Sequence, residues 1–170
     1  MKKYLFLSGF ILFATISFGQ NGVGFNLGFA TSKTPFGSLM YFLDKNAFSI
    51  GVSFELNNAL GKKEPNQNSG FGIGDGHFFL IGDIGYTRMV SDKFSLEGEL
   101  SFGKRKYYQN FSDNSFSEGG YHKIYKEKSI QGIGAFVIYD VNDIFGIFAG
   151  YNTIRQASIG LRIKFVKQTD

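Results

Sequence analysis

The chain of 170 residues contains no cysteine, no tryptophan and only two prolines. Without cysteine it has no disulfide framework, no thiolate metal site, no thiol nucleophile and no attachment point for a lipoprotein lipid. After Gln20 it also has no apolar run approaching the ~20 residues that a membrane-spanning helix needs. These absences exclude a helical membrane protein, so any anchoring to a membrane must come from the fold.

The residues that are abundant point to β-structure. The chain has 23 glycines and 21 phenylalanines, a composition that favours an all-β protein rich in turns and aromatic contacts. The formal net charge is +4, and it includes Lys2 and Lys3 at the start of the chain. Without those two lysines the charge is about +2, which is too little to indicate a nucleic-acid partner.

Residues 1–19 have the pattern of a secretory signal peptide. The two early lysines precede a mostly apolar stretch over 4–16, and the small residues Ser17 and Gly19 precede the predicted cleavage site before Gln20. The apolar stretch is too short for a membrane anchor helix. The sequence therefore predicts a signal peptide at 1–19 and a single β-domain at 20–170.

The last regular stretch, 155–165, alternates between apolar and polar residues. Ala157, Ile159, Leu161, Ile163 and Phe165 fall on one face of a strand, and Gln156, Ser158, Gly160, Arg162 and Lys164 fall on the other. Most earlier strands show the same pattern, although the facing of the second and sixth strands stays open. The predicted strands are 23–29, 38–43, 48–55, 77–88, 94–107, 124–139, 145–151 and 155–165.

The connections between these eight strands alternate in length. Short polar turns lie at 44–46, 91–93 and 141–143, and long polar loops lie at 57–75 and 109–120. Outer-membrane barrels have short periplasmic turns, longer external loops and apolar faces directed at lipid. The pattern therefore predicts a closed antiparallel eight-stranded up-and-down transmembrane β-barrel rather than a soluble sandwich.

The apolar faces would leave charged residues inside this barrel. The predicted charge network of the lumen consists of Glu55, Asp83, Glu97, Glu99, Arg105, Arg162 and Lys164. Counting along strands of alternating direction places Glu97 and Glu99 at nearly the level of the two cations of the last strand. Eight strands enclose a space that side chains can fill, and enclosed charges must be paired. We therefore expect a plug of salt bridges and no open channel.

The end strand carries a sharper motif. Leu161, Ile163 and the final aromatic Phe165 resemble the carboxy-terminal insertion signal of outer-membrane barrels. With its topology, the chain resembles the small eight-stranded outer-membrane β-barrel proteins, the group that includes the OmpA membrane domain, OmpX and the opacity-like proteins. The resemblance implies the outer membrane of a Gram-negative-type bacterium, insertion by the barrel assembly machinery, contact with outer-membrane lipids and a structural or surface-interaction role. It also implies an extracellular partner bound through the long loops.

A cluster of lysines is predicted toward the outer rim. Its members are Lys104, Lys106, Lys123, Lys126 and Lys128. Their ammonium groups could contact the phosphates of lipopolysaccharide, with a solvated rim as the alternative.

Two other functions are compatible with a secreted β-barrel. A barrel enzyme that modifies lipid A needs a nucleophile and a base, but neither His77 nor His122 has a serine two residues away. The pair Glu97 and Glu99 is spaced somewhat like a glycosidase pair, although facing cations favour a structural role. A lipocalin-like carrier would need apolar residues inside and polar ones outside. We expect a protein that is not an enzyme and has no cofactor or metal.

Overall fold

The computed structural model describes residues 21–64, 66, 70–116 and 119–166, so the predicted signal peptide lies outside the described residues. The strands are β1 (Asn21–Ala30), β2 (Thr34–Leu43), β3 (Asn46–Phe54), β4 (Lys62–Lys63), β5 (Phe71–Met89), β6 (Phe94–Ser112), β7 (Gly120–Asp140), β8 (Phe145–Asn152) and β9 (Gln156–Val166). Within these ranges, no helix is long and apolar enough to cross a membrane.

Eight of the nine strands form a ring. Leaving aside the two-residue β4, each strand pairs antiparallel with the next one along the chain, and β1 pairs with β9. The ring is completed by the pairs of β5 with β6, β6 with β7, β7 with β8 and β8 with β9. The predicted all-β, closed, antiparallel eight-stranded up-and-down barrel is therefore confirmed.

The apolar residues of the ring point outward. Ile50, Val52, Leu96, Leu100, Ile159 and Leu161 are between 50% and 67% exposed. Residues that alternate with them, such as Ser49 and Arg162, are buried. A ring of this kind buries its polar residues and exposes its apolar ones, which requires hydrocarbon around it. This facing is the reverse of the one that a lipocalin-like carrier needs.

The structure shows which residues point into the barrel on β2 and β7, the second and sixth predicted strands, whose facing the sequence left open. On β2, Leu39 points outward and Met40 points into the barrel, where it is 3% exposed. On β7, Val137 is exposed, whereas Phe136 and Ile138 are buried. The interior therefore contains apolar residues as well as the charged ones. This is why both faces of these strands look apolar in the sequence.

Three consecutive strands continue beyond the ring. β5, β6 and β7 contain 19, 19 and 21 residues, whereas the other ring strands contain 8 to 11. The pairing of β3 with β5 ends at Phe54 and Leu80, and the pairing of β7 with β8 ends at Gly134 and Asn152. We call residues 71–79, 104–112 and 120–129 the extension. At ~3.3 Å per residue it continues the sheet by roughly 30 Å.

The extension corrects the predicted loop bounds. The predicted loop 57–75 ends earlier, because β5 begins at Phe71, which pairs with Ser112. The register of β5 against β6 shifts between Gly72 and Gly74. The predicted loop 109–120 is likewise shorter, since β6 continues to Ser112. Glycine and polar residues favour loops locally, but here strand partners on a neighbouring hairpin override that preference.

A segment that we call the strap, residues 55–64, connects β3 to the far edge of β7. It includes β4, which pairs parallel with Tyr121 and His122. The backbone N–H of Leu60 donates to Asn110 Oδ1 at 2.9 Å, and the N–H of Asn58 donates to the Tyr108 hydroxyl at 3.2 Å. The backbone N–H of Glu55 also donates to the carbonyl oxygen of Phe79 on β5 at 3.0 Å, so the strap contacts all three strands of the extension.

Candidate functional site: ion pairs inside the barrel

Arg155 is the centre of the charge network. It precedes β9 in the turn from β8 and is completely buried. Its Nη1 donates to Asp83 Oδ2 at 2.7 Å, and its Nη2 donates to Glu99 Oε1 at 2.7 Å and Oε2 at 2.9 Å. Its guanidinium carbon also lies 4.2 Å from the centroid of the Phe36 ring. One guanidinium thus balances two buried carboxylates while stacking on an aromatic face.

Uncharged polar groups complete the bonding of both carboxylates. Asp83 accepts hydrogen bonds from the hydroxyls of Ser53 and Ser101, the latter at 2.5 Å. Asn152 Nδ2 donates to Glu99 Oε1 at 2.7 Å. These contacts tie β3, β5, β6 and β8 together across the lumen. They supply the hydrogen bonds that an enclosed charge requires in addition to its ion pair.

A second ion pair lies closer to the short turns. Arg162 Nη2 donates to Glu97 Oε2 at 2.6 Å, and both side chains are almost completely buried. Thr87 Oγ1 also donates to Glu97 Oε2, at 2.8 Å, and Arg162 Nε donates to Asn26 Oδ1 at 3.1 Å. The last strand is thereby joined to β1, β5 and β6 through the interior.

A third ion pair corrects the prediction that Lys164 lies beside Glu97 and Glu99. Its Nζ lies 3.0 Å from Asp140 Oδ2, whereas Glu99 binds Arg155. In the register, Gly146 lies between Asp140 on β7 and Arg162 on β9. A Cβ atom at Gly146 would lie 2.8 Å from Asp140 Oδ1, so the glycine leaves the space that this carboxylate occupies. The pair borders a cavity of about 880 Å³ at the short-turn end.

The remaining two residues of the predicted network lie at the opposite end of the barrel. Glu55 Oε1 is 3.6 Å from His77 Nε2, and the guanidinium carbon of Arg105 lies 5.7 Å from the centroid of the Phe79 ring. Burial raises the pKa of Glu55, and the nearby charges of His77, Arg105 and Lys33 oppose that increase. Among the described residues, Arg105 has no carboxylate within ion-pair distance.

Apolar side chains fill the space around the ion pairs. Phe79, Ile81 and Ile154 form one buried cluster, with Ile130 packed against it. A second cluster consists of Phe136, Ile138 and Phe148, with Phe36 packed against it. A void of about 10 Å³ lies among Asn26, Phe36, Asp83, Glu97, Glu99, Phe136 and Phe148. A space of that volume is at the lower limit for one water molecule.

Sequence reasoning missed Arg155 because strict alternation with Ala157 and Ile159 would direct its side chain outward. The alternation does not reach it, since β9 begins only at Gln156, which has a φ of +70°. A charge balance could have found it. Four carboxylates were predicted to point inward against three cations, so one further cation was required.

The predicted insertion-signal residues lie on the end strand as an alternating set. Leu161 and Phe165 are 56% and 57% exposed, and Ile163 is half-buried. The Phe165 ring lies 5.8 Å from that of Phe25 on the neighbouring β1. An exposed aromatic ring therefore stands near the short-turn end of the last strand.

The five predicted rim lysines do not share one surface. Lys104 and Lys106 alternate along β6 with Arg105, so they lie on the outward face. Lys128 is paired in register with Arg105, and Lys126 with Tyr107, which places both on the opposite face. The ammonium group of Lys123 lies 5.5 Å from the centroid of the Phe111 ring.

The two histidines have structural contacts. His77 lies beside Glu55, as described above, and His122 Nδ1 is 3.0 Å from the carbonyl oxygen of Leu60 in the strap. In the part of the chain that the structure describes, no group of three or more histidine, aspartate or glutamate side chains could hold a metal ion.

Neither a family model nor a curated protein sequence matches this chain. Several solved structures do match this chain. The N-terminal β-barrel domain of Pseudomonas aeruginosa OprF is 16% identical over 87% of this chain and 100% of that domain, with a TM-score of 0.48. Neisserial surface protein A is 15% identical over 85% of this chain and 96% of its own, with a TM-score of 0.49.

Ail, the attachment invasion locus protein of Yersinia pestis, is 14% identical over 85% of this chain and 95% of its own, with a TM-score of 0.48. All three are small outer-membrane β-barrels. The ring of eight strand pairs, which is established by this chain's own hydrogen bonds, gives it the fold of the small eight-stranded barrels that its sequence resembles.

Proposed function

We propose that this chain is a small integral outer-membrane β-barrel with a plugged lumen, which acts as a structural or surface-interaction protein and not as a channel. In this proposal the signal peptide at 1–19 is removed after secretion. The short turns face the periplasm, and the extension stands outside the cell. Outer-membrane lipids surround the exposed apolar residues of the ring.

The observation that carries the plug is the position of Arg155. It is completely buried and holds Asp83 and Glu99 from two different strands, in a region whose void is only about 10 Å³. Opening a passage there would separate charges that are enclosed among apolar side chains, at a cost of several kcal/mol. The lumen is therefore expected to stay closed to ions.

Two finer parts of the proposal concern partners. Leu161, Ile163 and Phe165 would be read by the barrel assembly machinery during insertion. Lys104 and Lys106, which lie on the outward face above the apolar ring, would approach lipopolysaccharide phosphates from the membrane side.

The membrane assignment is tested by fractionation of cells that express the full chain, with gel mobility measured before and after heating. We expect the mature chain in the outer-membrane fraction and a mobility that changes on heating, because a closed barrel resists detergent until it is unfolded. Recovery of the chain as a freely soluble protein would contradict the proposal.

The plug is tested separately by conductance across a planar lipid bilayer that contains the refolded chain. We expect no stable stepwise conductance. The control is the Lys126→Gln variant, whose charge lies outside the ring and which should also be silent. A stable conductance from the wild-type chain would show an open lumen, while leaving the membrane assignment intact.

A further inference from the structure

The outward face of the ring carries a charge at one position near the short turns. Arg88 alternates along β5 with Tyr86 and Ile84, which point outward, and its side chain is exposed. Among the described residues, it is the only charged residue on the outward faces of the eight ring strands outside the extension. A charge on this face is costly unless it meets water or a polar group of the lipid. The guanidinium of Arg88 must therefore lie at the depth of the lipid headgroups.

A neighbouring amide holds Arg88 in place and leaves most of its donors unused. Arg88 is paired in register with Asn46 on β3, and its Nη1 donates to Asn46 Oδ1 at 2.8 Å. The Tyr86 hydroxyl donates to the same oxygen at 2.7 Å. The residues that the structure describes supply no carboxylate for Arg88 and no acceptor for its Nε and Nη2. The unused N–H groups of this planar fork match the oxygens of a phosphate group.

The residues between Arg88 and the middle of the ring change from aromatic to aliphatic. The Phe48 ring lies 5.4 Å from the Tyr86 ring across β3 and β5. Next along these strands, Ile50 and Ile84 are paired with each other and are 66% and 56% exposed. A cation, then amphipathic rings, then aliphatic side chains follow the order of headgroup, interface and hydrocarbon in a lipid leaflet. This column of residues is therefore complementary to a phospholipid molecule along its length.

Small residues leave a hollow in the outward face beside this column. Gly98 on β6 is paired with Tyr86 on one side and with Ala135 on the other. A Cβ atom at Gly98 would meet no heavy atom within 4 Å beyond the adjacent residues of the chain, so the space outside it is open. Leu96 and Leu100, two residues before and after it, are 51% and 50% exposed and border the hollow along the strand. The hollow is thus apolar and begins at the level of the Tyr86 ring.

The position of Arg88 along the ring determines which leaflet supplies the lipid. Asn46 begins β3 directly after the short turn from β2, and Arg88 lies one residue before the end of β5. In the proposed topology these short turns face the periplasm, so this end of the ring lies in the inner leaflet of the outer membrane. Lys104 and Lys106 lie in the extension at the opposite end. Arg88 therefore meets the phosphates of inner-leaflet glycerophospholipids and not those of lipopolysaccharide.

From this arrangement we propose that Arg88, Asn46 and Tyr86 form a binding site for one glycerophospholipid of the inner leaflet. The phosphodiester accepts hydrogen bonds from the free N–H groups of Arg88, and one acyl chain lies in the hollow over Gly98. The site differs from the general contact of the ring with lipid, because it assigns one headgroup to named donors. This proposal rests on the proposed function, since it requires the short turns to face the periplasm.

The test is native mass spectrometry of the refolded mature chain in detergent, which counts the lipid molecules that stay bound as dioleoylphosphatidylglycerol is added. Dioleoylglycerol, which lacks the phosphate, is the negative probe, and inorganic phosphate is the soluble competitor. We expect one tightly bound phospholipid in the wild-type chain. Its affinity should fall at least about tenfold in R88Q, or ~1.4 kcal/mol, because the charge-assisted bonds to phosphate are lost.

Two further variants serve as controls for charge and shape. K93Q removes one exposed cation from the turn at the same end of the ring, and it should lose less than about twofold, since solvent screens a charge that does not touch the phosphate. G98L leaves every charge unchanged but fills the hollow. It should weaken binding of the phospholipid by at least about threefold, because the acyl chain loses its apolar contact.

Several outcomes would overturn the proposal. These are equal retention of dioleoylglycerol and the phospholipid, unchanged binding in R88Q or in G98L, and a loss in K93Q as large as that in R88Q. Displacement of the lipid by inorganic phosphate would assign the donors to a soluble anion instead. Each protein is also checked for heat-dependent gel mobility. A wild-type chain that lacks this shift would contradict the barrel itself, which is a different result from a folded barrel that retains no lipid.

Discussion

The extension continues three of the eight strands that form the ring, but charges are arranged in opposite ways inside the ring and in the extension. In the ring, Asp83 and Glu99 converge on one guanidinium at 2.7 Å each. In the extension, Arg105 and Lys128 face each other without a carboxylate partner among the described residues. The difference shows that enclosure, and not the strand sequence, decides whether charges must be paired.

Solvation explains this difference. Arg155 is completely buried, whereas Lys128 in the extension is exposed to solvent. An enclosed charge without a partner costs several kcal/mol, while an exposed pair contributes at most ~1 kcal/mol. Breaking an ion pair inside the ring is therefore costly, whereas exposed cations of the extension need no partner.

The largest expected effect is that of Arg155→Ala. This change leaves Asp83 and Glu99 buried without their cation, so we expect the free energy of unfolding to fall by about 3–5 kcal/mol. Urea titration of the refolded barrel, followed by circular dichroism and gel mobility, measures it. Lys126→Ala in the extension is the control, and its effect should stay within about 0.5 kcal/mol. Equal losses of unfolding free energy in the two variants would contradict the contrast between the ring and the extension.

A change on the outside of the ring should have a smaller but clear effect. Ile50 is 66% exposed and lies among other apolar residues of β2 and β5 in the register. Ile50→Lys would place a charge in lipid, and we expect it to cost about 2–4 kcal/mol if the position is near the bilayer midplane.

The matched control for this change is Ile73→Lys. Ile73 is 58% exposed, but it lies in the extension, which the proposed topology places in water. Its substitution should change the unfolding free energy by less than about 0.5 kcal/mol. Unfolding in urea from lipid vesicles measures both variants. If Ile73→Lys were as costly as Ile50→Lys, the extension would not stand in water.

The smallest effect concerns pH at the boundary between the two regions. Burial raises the pKa of Glu55 above its ordinary value, so the folded state binds the proton more tightly than the unfolded state. Stability contributed by this group therefore rises as the pH falls through the raised pKa toward the ordinary one. Glu55→Gln should abolish that gain and leave stability at neutral pH unchanged or slightly higher.

This prediction is measured as the difference between the wild-type chain and Glu55→Gln in urea midpoints at pH 7 and pH 5. Taking the difference cancels the titration of groups that do not interact with Glu55. We expect a smaller effect than in either substitution above. A wild-type chain that loses more stability than the variant on acidification would have the opposite sign and contradict the effect of burial.

Much of the fold could be predicted from local patterns. The alternation in β3 and β9 identifies lipid-facing residues such as Ile50 and Leu161 because a strand has only two faces. The extension could not be predicted, since glycine and polar residues over 70–76 favour a loop until their partners on β6 are known. The facing of β7 could not be predicted either, because Phe136 and Val137 are both apolar but only Phe136 is buried.

The ion pairs inside the barrel could likewise be predicted only in part. Glu97 and Arg162 could be directed inward from the sequence, but Arg155 could not, because a turn with a positive φ at Gln156 interrupts the alternation.

The sequence alone therefore defines the eight strands of the ring, the side that the clearly alternating strands turn toward lipid and part of the charge inside. Which carboxylate meets which cation depends on the tertiary structure. Pairing requires atoms within about 3 Å of each other, and residues as far apart in the chain as Asp83 and Arg155 reach that distance only when the ring closes at a particular register.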